Sequence, residues 1–177
     1  MKNFITLIIV ALGLLTFSSL FVVEEGNKAI VIQFGKVQRD SETGDTTVFE
    51  PGLHFKLPFF DRVVTLDARI QTLDEAPDRF VTSEKKDLIV DLYVKWKIED
   101  FAKYYLATGG IKSSAEILLQ QKVNNGLRSE FGTRTIQQIV SGERSELMDE
   151  AMAQASTSSD ELGIEIIDVR VKQINLP

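Results

Sequence analysis

The 177-residue sequence has no cysteine, one histidine, one tryptophan and four prolines. Without cysteine there is no disulfide framework, no thiolate-ligated zinc and no thiol nucleophile. A lone histidine, His54, leaves no His-rich metal site and weakens general-base schemes, because a base needs a positioned partner. A basic excess is missing too: Lys and Arg number 20 against 26 Asp and Glu, a formal net charge of −6. A nucleic-acid binder would show a basic face, and adhesion to anionic lipid by charge alone would need one. The scattered aspartates Asp61, Asp67, Asp74, Asp78, Asp87 and Asp91 lack calcium-loop spacing, and Gly109-Gly110 lacks the strand and Lys-Ser/Thr of a phosphate loop. Ser83-Glu84-Lys85-Lys86 sets a serine near lysines, the raw material of a Ser-Lys hydrolase, but a charge run of this kind is ordinarily a solvated turn. The expectation is a protein with no catalytic residues, no metal and no cofactor.

What the sequence does have is one long apolar run. Phe4 to Val23 reads FITLIIVALGLLTFSSLFVV, without a charge. A helix of that length reaches about 30 Å, the thickness of a bilayer's hydrocarbon core. The run predicts a single transmembrane helix over 4–23, after a short terminus at 1–3. Its anchoring side chains are Phe4, Ile5, Leu7, Ile8, Ile9, Val10, Leu12, Leu14, Leu15, Phe17, Leu20, Phe21, Val22 and Val23. Lys2 precedes the run and Glu24-Glu25 follow it, which places the N-terminus in the cytoplasm and everything from Glu24 outward on the far side. The alternative is a cleaved signal peptide, whose apolar core spans roughly 7–15 residues and ends at small residues. The longer run and bulky Leu20-Phe21-Val22-Val23 favour an uncleaved anchor.

Beyond the run, periodicity predicts an α+β body. Ala29–Phe34 reads as a strand closed by Gly35, Arg39–Thr46 as a hairpin tip, and Thr47–Phe49 as a short return strand. In Leu53–Leu57, Leu53, Phe55 and Leu57 alternate with His54 and Lys56, a strand that Pro58 ends. Phe55, Leu57, Phe59 and Phe60 belong either to the core or to a loop touching the outer leaflet, where aromatics favour the interface. Arg62–Leu73 is a strand or two, and Asp74–Asp78, with Pro77, is a linker between lobes 24–77 and 78–177. Leu88, Val90, Leu92, Val94, Trp96 and Ile98 alternate with mostly polar residues in one half-buried strand.

Helices follow. Asp100 caps a short one that stops at Gly109-Gly110. A second opens with a capping box, Ser113 with Glu116, and carries the stripe Ala115, Leu119, Val123, Leu127, Phe131 to its end at Gly132. A turn at Thr135–Val140 precedes a third helix over 141–155, broken by the polar Ser156–Asp160. Ile164–Ile174 is a last strand whose apolar parity switches between Ile166 and Ile167, which calls for a β-bulge.

Several segments together resemble the SPFH or band-7 family (stomatin, prohibitin, flotillin, HflK/HflC), and most closely its HflK/HflC branch. They are Glu50–Pro58 (EPGLHFKLP), Leu66–Thr72 (LDARIQT), Asp78–Thr82 (DRFVT), Lys85–Asp91 (KKDLIVD), Tyr104–Gly110 (YYLATGG) and Val169–Pro177 (VRVKQINLP). The resemblance implies a bacterial inner-membrane protein with one span and a two-lobed periplasmic body. It implies assembly with an HflK-type subunit into a cage around an FtsH-type protease, controlling substrate access without being proteolytic itself. Its partners would be those two proteins and the lipid bilayer, not nucleic acid. Family members continue past the Asn-Leu-Pro segment into a long helix, so the further expectation is a truncated or partial chain lacking that helix.

Overall fold

The structure is a computed structural model that describes residues 9, 13–14, 16–40, 44–140 and 144–175. The chain divides into two compact units, the first ending at Arg69 and the second beginning at Ile70. The expected division after Pro77 therefore lies too late. The reason is pairing: Gln71–Asp74 bonds to Tyr93–Trp96, which commits it to the second unit's sheet.

The first unit is all β among its described residues apart from helical residues before Ser19. Strand β1 (Leu20–Val23) runs antiparallel to β5 (Gly52–Phe55). Strand β2 (Asn27–Gln33) is central to the second sheet. It pairs along its whole length with β6 (Asp61–Asp67), and on short stretches with β3 (Lys36–Val37) and β4 (Val48–Phe49). Its run Ala29–Ile32 is buried on both faces, as an uninterrupted β-branched stretch requires. Arg39 and Thr46, the two ends of the expected hairpin tip, form an antiparallel bridge, and residues 41–43 between them lie outside the described residues.

The predicted span needs correction at one end. Leu20, Phe21, Val22 and Val23 are not helical but form β1. Their β-branched and aromatic character suits a pleated strand as well as a lipid-facing helix, and a partner strand decides between the two. Ile9, Leu14 and Phe17 are helical and exposed. Phe4, Ile5, Leu7, Ile8, Val10, Leu12 and Leu15 lie outside the described residues. Among the described residues no helix is long and apolar enough to cross a membrane.

The second unit is a sheet with helices on one face. Strand β9 (Asp87–Ile98) alternates half-buried and buried without a fault, and Leu88, Val90, Leu92, Val94, Trp96 and Ile98 form the core, as expected. One edge of β9 takes β10 (Ile164–Asn175); the other takes β7 (Gln71–Asp74) and then β8 (Asp78–Val81), all antiparallel. The register of β10 skips Ile167, the expected bulge, and skips again at Lys172. The open face of this sheet is a lattice of paired charges. Lys172 of β10 meets Asp74 of β7 and, at 2.9 Å, Asp91 of β9, while Lys97 meets Glu165 at 2.7 Å.

Helix α1 (Phe101–Thr108) is capped as expected: Asp100 Oδ1 accepts from the amides of Ala102 and Lys103, both at 3.0 Å, and Gly109 closes it in the left-handed conformation. Helix α2 (Lys112–Thr133) buries its predicted stripe against β8 and a later helix, with Phe131 edge-on to Phe80 at 5.2 Å.

Two of the predicted ends of α2 are wrong. The helix starts before Ser113, with Ile111 at its cap and no side-chain bond there, so Ser113 and Glu116 form no capping box. Gly132 lies inside the last turn rather than ending it. A reciprocal cap does occur further on, at α3 (Ile136–Val140). The Thr135 amide donates to Gln138 Oε1 at 3.0 Å, and the Gln138 amide donates to Thr135 Oγ1 at 3.4 Å.

Helix α4 (Arg144–Ser159) continues through the segment expected to break it, into a 3-10 turn at Asp160–Leu162. Thr157, Ser158 and Ser159 each donate their hydroxyl to the carbonyl four residues back, at 3.0, 3.2 and 2.8 Å. Hydroxyls satisfied inside the helix do not break it.

Candidate functional site

The alternation that places Leu53 and Phe55 on one face of β5 is present, but the face is turned outward. Across β1–β5, Val22 is opposite Leu53 and Leu20 opposite Phe55. Val22, Leu53 and Phe55 are all exposed, Phe55 to 74%. The inward positions are Phe21 and His54, which pack with Phe49: the Phe21 and Phe49 rings meet edge to face at 5.6 Å, and His54 and Phe49 at 5.1 Å. His54 Nε2 lies 2.6 Å from the Glu50 carbonyl oxygen. His54 is thus a packing residue held by one backbone contact.

The apolar surface extends past the strand. The Lys56 amide donates to the Ser19 carbonyl at 2.8 Å, which keeps the chain beside β1. The following turn is closed by the Leu57 amide on Asp61 Oδ2 at 2.8 Å and by the Asp61 amide on the Leu57 carbonyl at 3.1 Å. That turn presents Leu57, Phe59 and Phe60 to the outside, Phe59 to 92%. The Phe60 ring lies 5.7 Å from that of Phe34, itself 77% exposed, at the β2–β3 turn. All four residues singled out from the sequence, Phe55, Leu57, Phe59 and Phe60, are therefore on the surface. The reading of them as core is overturned.

Two of these aromatics sit on strained backbone. Phe59 has φ +72° and Phe34 φ +50°. A bulky side chain at positive φ is an outlier costing about 1–3 kcal/mol. Phe34 with Gly35 (φ +77°) makes a tight hairpin turn with both central residues left-handed, a place where Asn-Gly is preferred. Folding energy alone would not choose phenylalanine at either position. Phe34 was missed in the sequence because it closes a buried strand. The signal that could have found it is an aromatic in the Asn position of an X-Gly turn.

The other sequence candidates form no site. Ser83 sits in the β8–β9 turn, where its amide donates to the Arg134 carbonyl at 3.0 Å, and Lys86 pairs with Glu84 at 3.5 Å. Lys86 is thus engaged by a carboxylate within the turn. Among the described residues no group of three His, Cys, Asp or Glu side chains could hold a metal.

An α+β body with a two-strand ribbon, a long central strand and helices on one sheet face defines the class to which the sequence segments pointed. Residues 21–177 match the SPFH domain / Band 7 family, and the chain belongs to it. It is 54% identical over 181 residues to Protein HflC of Haemophilus influenzae, covering 100% of this chain and 61% of the relative. It is 49% identical over 204 residues to Protein HflC of Vibrio cholerae, covering 98% and 61%. The relative named Modulator of FtsH protease HflC, from Escherichia coli K12, is 45% identical over 216 residues, covering 99% and 64%. The chain thus spans about three fifths of the length of these relatives. The Escherichia coli alignment is longer than this chain, so that relative carries inserted residues inside the matched stretch. Its name is that of a protein acting on a protease, not of a protease.

Proposed function

We propose that this chain is the membrane-anchored body of an HflC-type scaffold subunit, a regulator and not an enzyme. It assembles with an HflK-type subunit and controls which substrates reach an FtsH-type protease. It lies in the bacterial inner membrane with its N-terminus cytoplasmic and its body periplasmic. The observation that carries the reading is 45% identity across almost the whole chain to a protein named for modulating FtsH. The absence of a candidate nucleophile–base pair in the sequence agrees with a role exerted by position. Co-expression with an HflK-type partner and an FtsH-type protease, followed by extraction in mild detergent, tests it. Co-purification of all three is expected; a chain that elutes alone under every condition contradicts it.

The first unit supports a direct contact with lipid in addition to the anchor. With Leu20–Val23 in a strand, the apolar run left for a helix, Phe4–Ser19, would reach about 24 Å at the helical rise, short of the roughly 30 Å hydrocarbon core. The exposed Phe34, Phe55, Phe59 and Phe60 lie in the same unit as that run and suit the interfacial layer, where aromatic rings concentrate. The same surface supports a second reading, a lipid-organising module. Flotation of the body from residue 19 onward, which keeps β1, with liposomes separates the two. Binding without the anchor favours lipid organisation as an activity of its own, and a body that stays unbound leaves the surface as an accessory to the anchor.

A further inference from the structure

One carboxyl group in the second unit serves neither lipid contact nor the charge lattice. Glu75 leaves β7 on the helix-covered side of the sheet, and its residue surface is only 6% exposed. It occupies the interruption Glu75-Ala76-Pro77 between β7 and β8, which lie one after the other along the same edge of β9. The backbone there is thinly tethered. The Glu75 amide reaches the Leu92 carbonyl at 3.4 Å, the long limit of a hydrogen bond, and Pro77 has no amide hydrogen to give.

The side chain makes the other attachment. Gln120 and Asn124 of α2 are the polar side chains that act on the Glu75 carboxyl, both favouring its charged form. Yet one of its oxygens, Oε1, is buried without a partner, and so is Oδ1 of Asn124. Each of these two buried acceptors lacks a hydrogen. Among the described residues the cations of α2 are engaged elsewhere. Arg128 of α2 lies 3.7 Å from Asp78 Oδ2, an oxygen that Asn124 Nδ2 also reaches at 3.3 Å, so both are directed at Asp78. Lys122 of α2 pairs with Glu161 at 3.4 Å. Lys172 pairs with both Asp74 and Asp91 on the opposite, open face. The charge of Asp78 is repulsive to a Glu75 carboxylate. Burial, reinforced by Asp78 and opposed by the two amides, pushes the Glu75 carboxyl up to about 7.

We propose that Glu75 is a proton-operated latch: protonated, it fastens the β7–β8 interruption to α2, and losing the proton loosens that edge of the second unit. With the closed group titrating at about 7 and the open group at about 4.5, the closed form binds more protons between those values. The latch is therefore tightest in acid, weakens as pH rises through that window, and changes no further above it.

Hydrogen exchange on the full chain in detergent micelles, corrected for the intrinsic pH dependence of exchange, tests this. In the wild type, protection of the segment 75–81 falls by up to about tenfold per pH unit between pH 5 and 7 and then levels off. The α1 segment serves as the internal reference. Glu75→Gln, nearly isosteric and permanently neutral, keeps the acid-form protection at every pH. Identical pH profiles in the two proteins, or a wild-type profile that is flat, would overturn the latch. Should the variant fail to fold, the carboxyl carbon resonance of Glu75 in the wild type decides alone. A midpoint near 7 upholds the proposal, and one below 5 ends it.

Discussion

At the scale of single residues, the proposed lipid contact and folding stability pull in opposite directions at Phe59. Its ring is almost wholly in water and its backbone is left-handed. Glycine adopts that conformation without the Cβ penalty, and little packing is lost with a side chain so exposed. Phe59→Gly should raise unfolding stability by about 1 kcal/mol, read from urea denaturation, while weakening vesicle binding in flotation. A variant that loses stability would mean the ring packs on something inside the fold. Residue types made the Phe55–Phe60 cluster visible in the sequence. Its direction was not visible, because alternation gives two faces and does not say which one the rest of the chain covers.

Among elements, legibility followed redundancy. Strand β9 was readable because six apolar residues repeat one instruction and its burial obeys it at every position. The stripe of α2 was readable for the same reason. Features resting on one or two residues were read unevenly: the Asp100 cap and the bulge at Ile167 were legible, others were not. Ser113 with Glu116 has capping-box spacing, yet the helix begins two residues too early to use it. Ser156–Asp160 has loop composition, yet its hydroxyls find acceptors in the preceding turn. Leu20–Val23 fits helix or strand, and only the distant β5 settles which.

Close approach was equally hidden. A Cβ on Gly126 of α2 would stand 3.1 Å from the Ala151 carbonyl of α4, so Gly126→Leu should destabilise the protein by about 1–3 kcal/mol through overpacking. Gly163 is tighter: a Cβ there would meet the Asp100 carbonyl at 2.3 Å, on a backbone with φ +67°. Its own carbonyl accepts from the amides of Glu99 and Asp100, at 2.9 and 3.2 Å, at the entry to α1. Gly163→Ala should therefore be the more damaging, losing about 3 kcal/mol or more because strain and clash add. Equal unfolding midpoints for wild type and Gly163→Ala would contradict that geometry.

At the scale of the whole molecule, net charge separates two ways of meeting a membrane. With 26 acidic against 20 basic residues, the proposed contact of the body with a bilayer does not draw on attraction to anionic lipid. Contact through phenylalanine and leucine is a burial of apolar surface, which salt does not screen. Vesicle binding should accordingly persist from 0.05 to 1 M salt and show little preference for anionic over zwitterionic lipid, within about twofold. Release by salt would shift the contact to the lysines and arginines.

The unbroken alternation of β9 also bears on how reliably the chain finds its form. Sliding this strand by a single position against β7, β8 and β10 would thrust Trp96 and five aliphatic side chains into water and drive Lys95, Lys97 and Asp91 under the helices. A mis-threaded arrangement of this strand is therefore costly, and an error of register made during folding is undone rather than trapped.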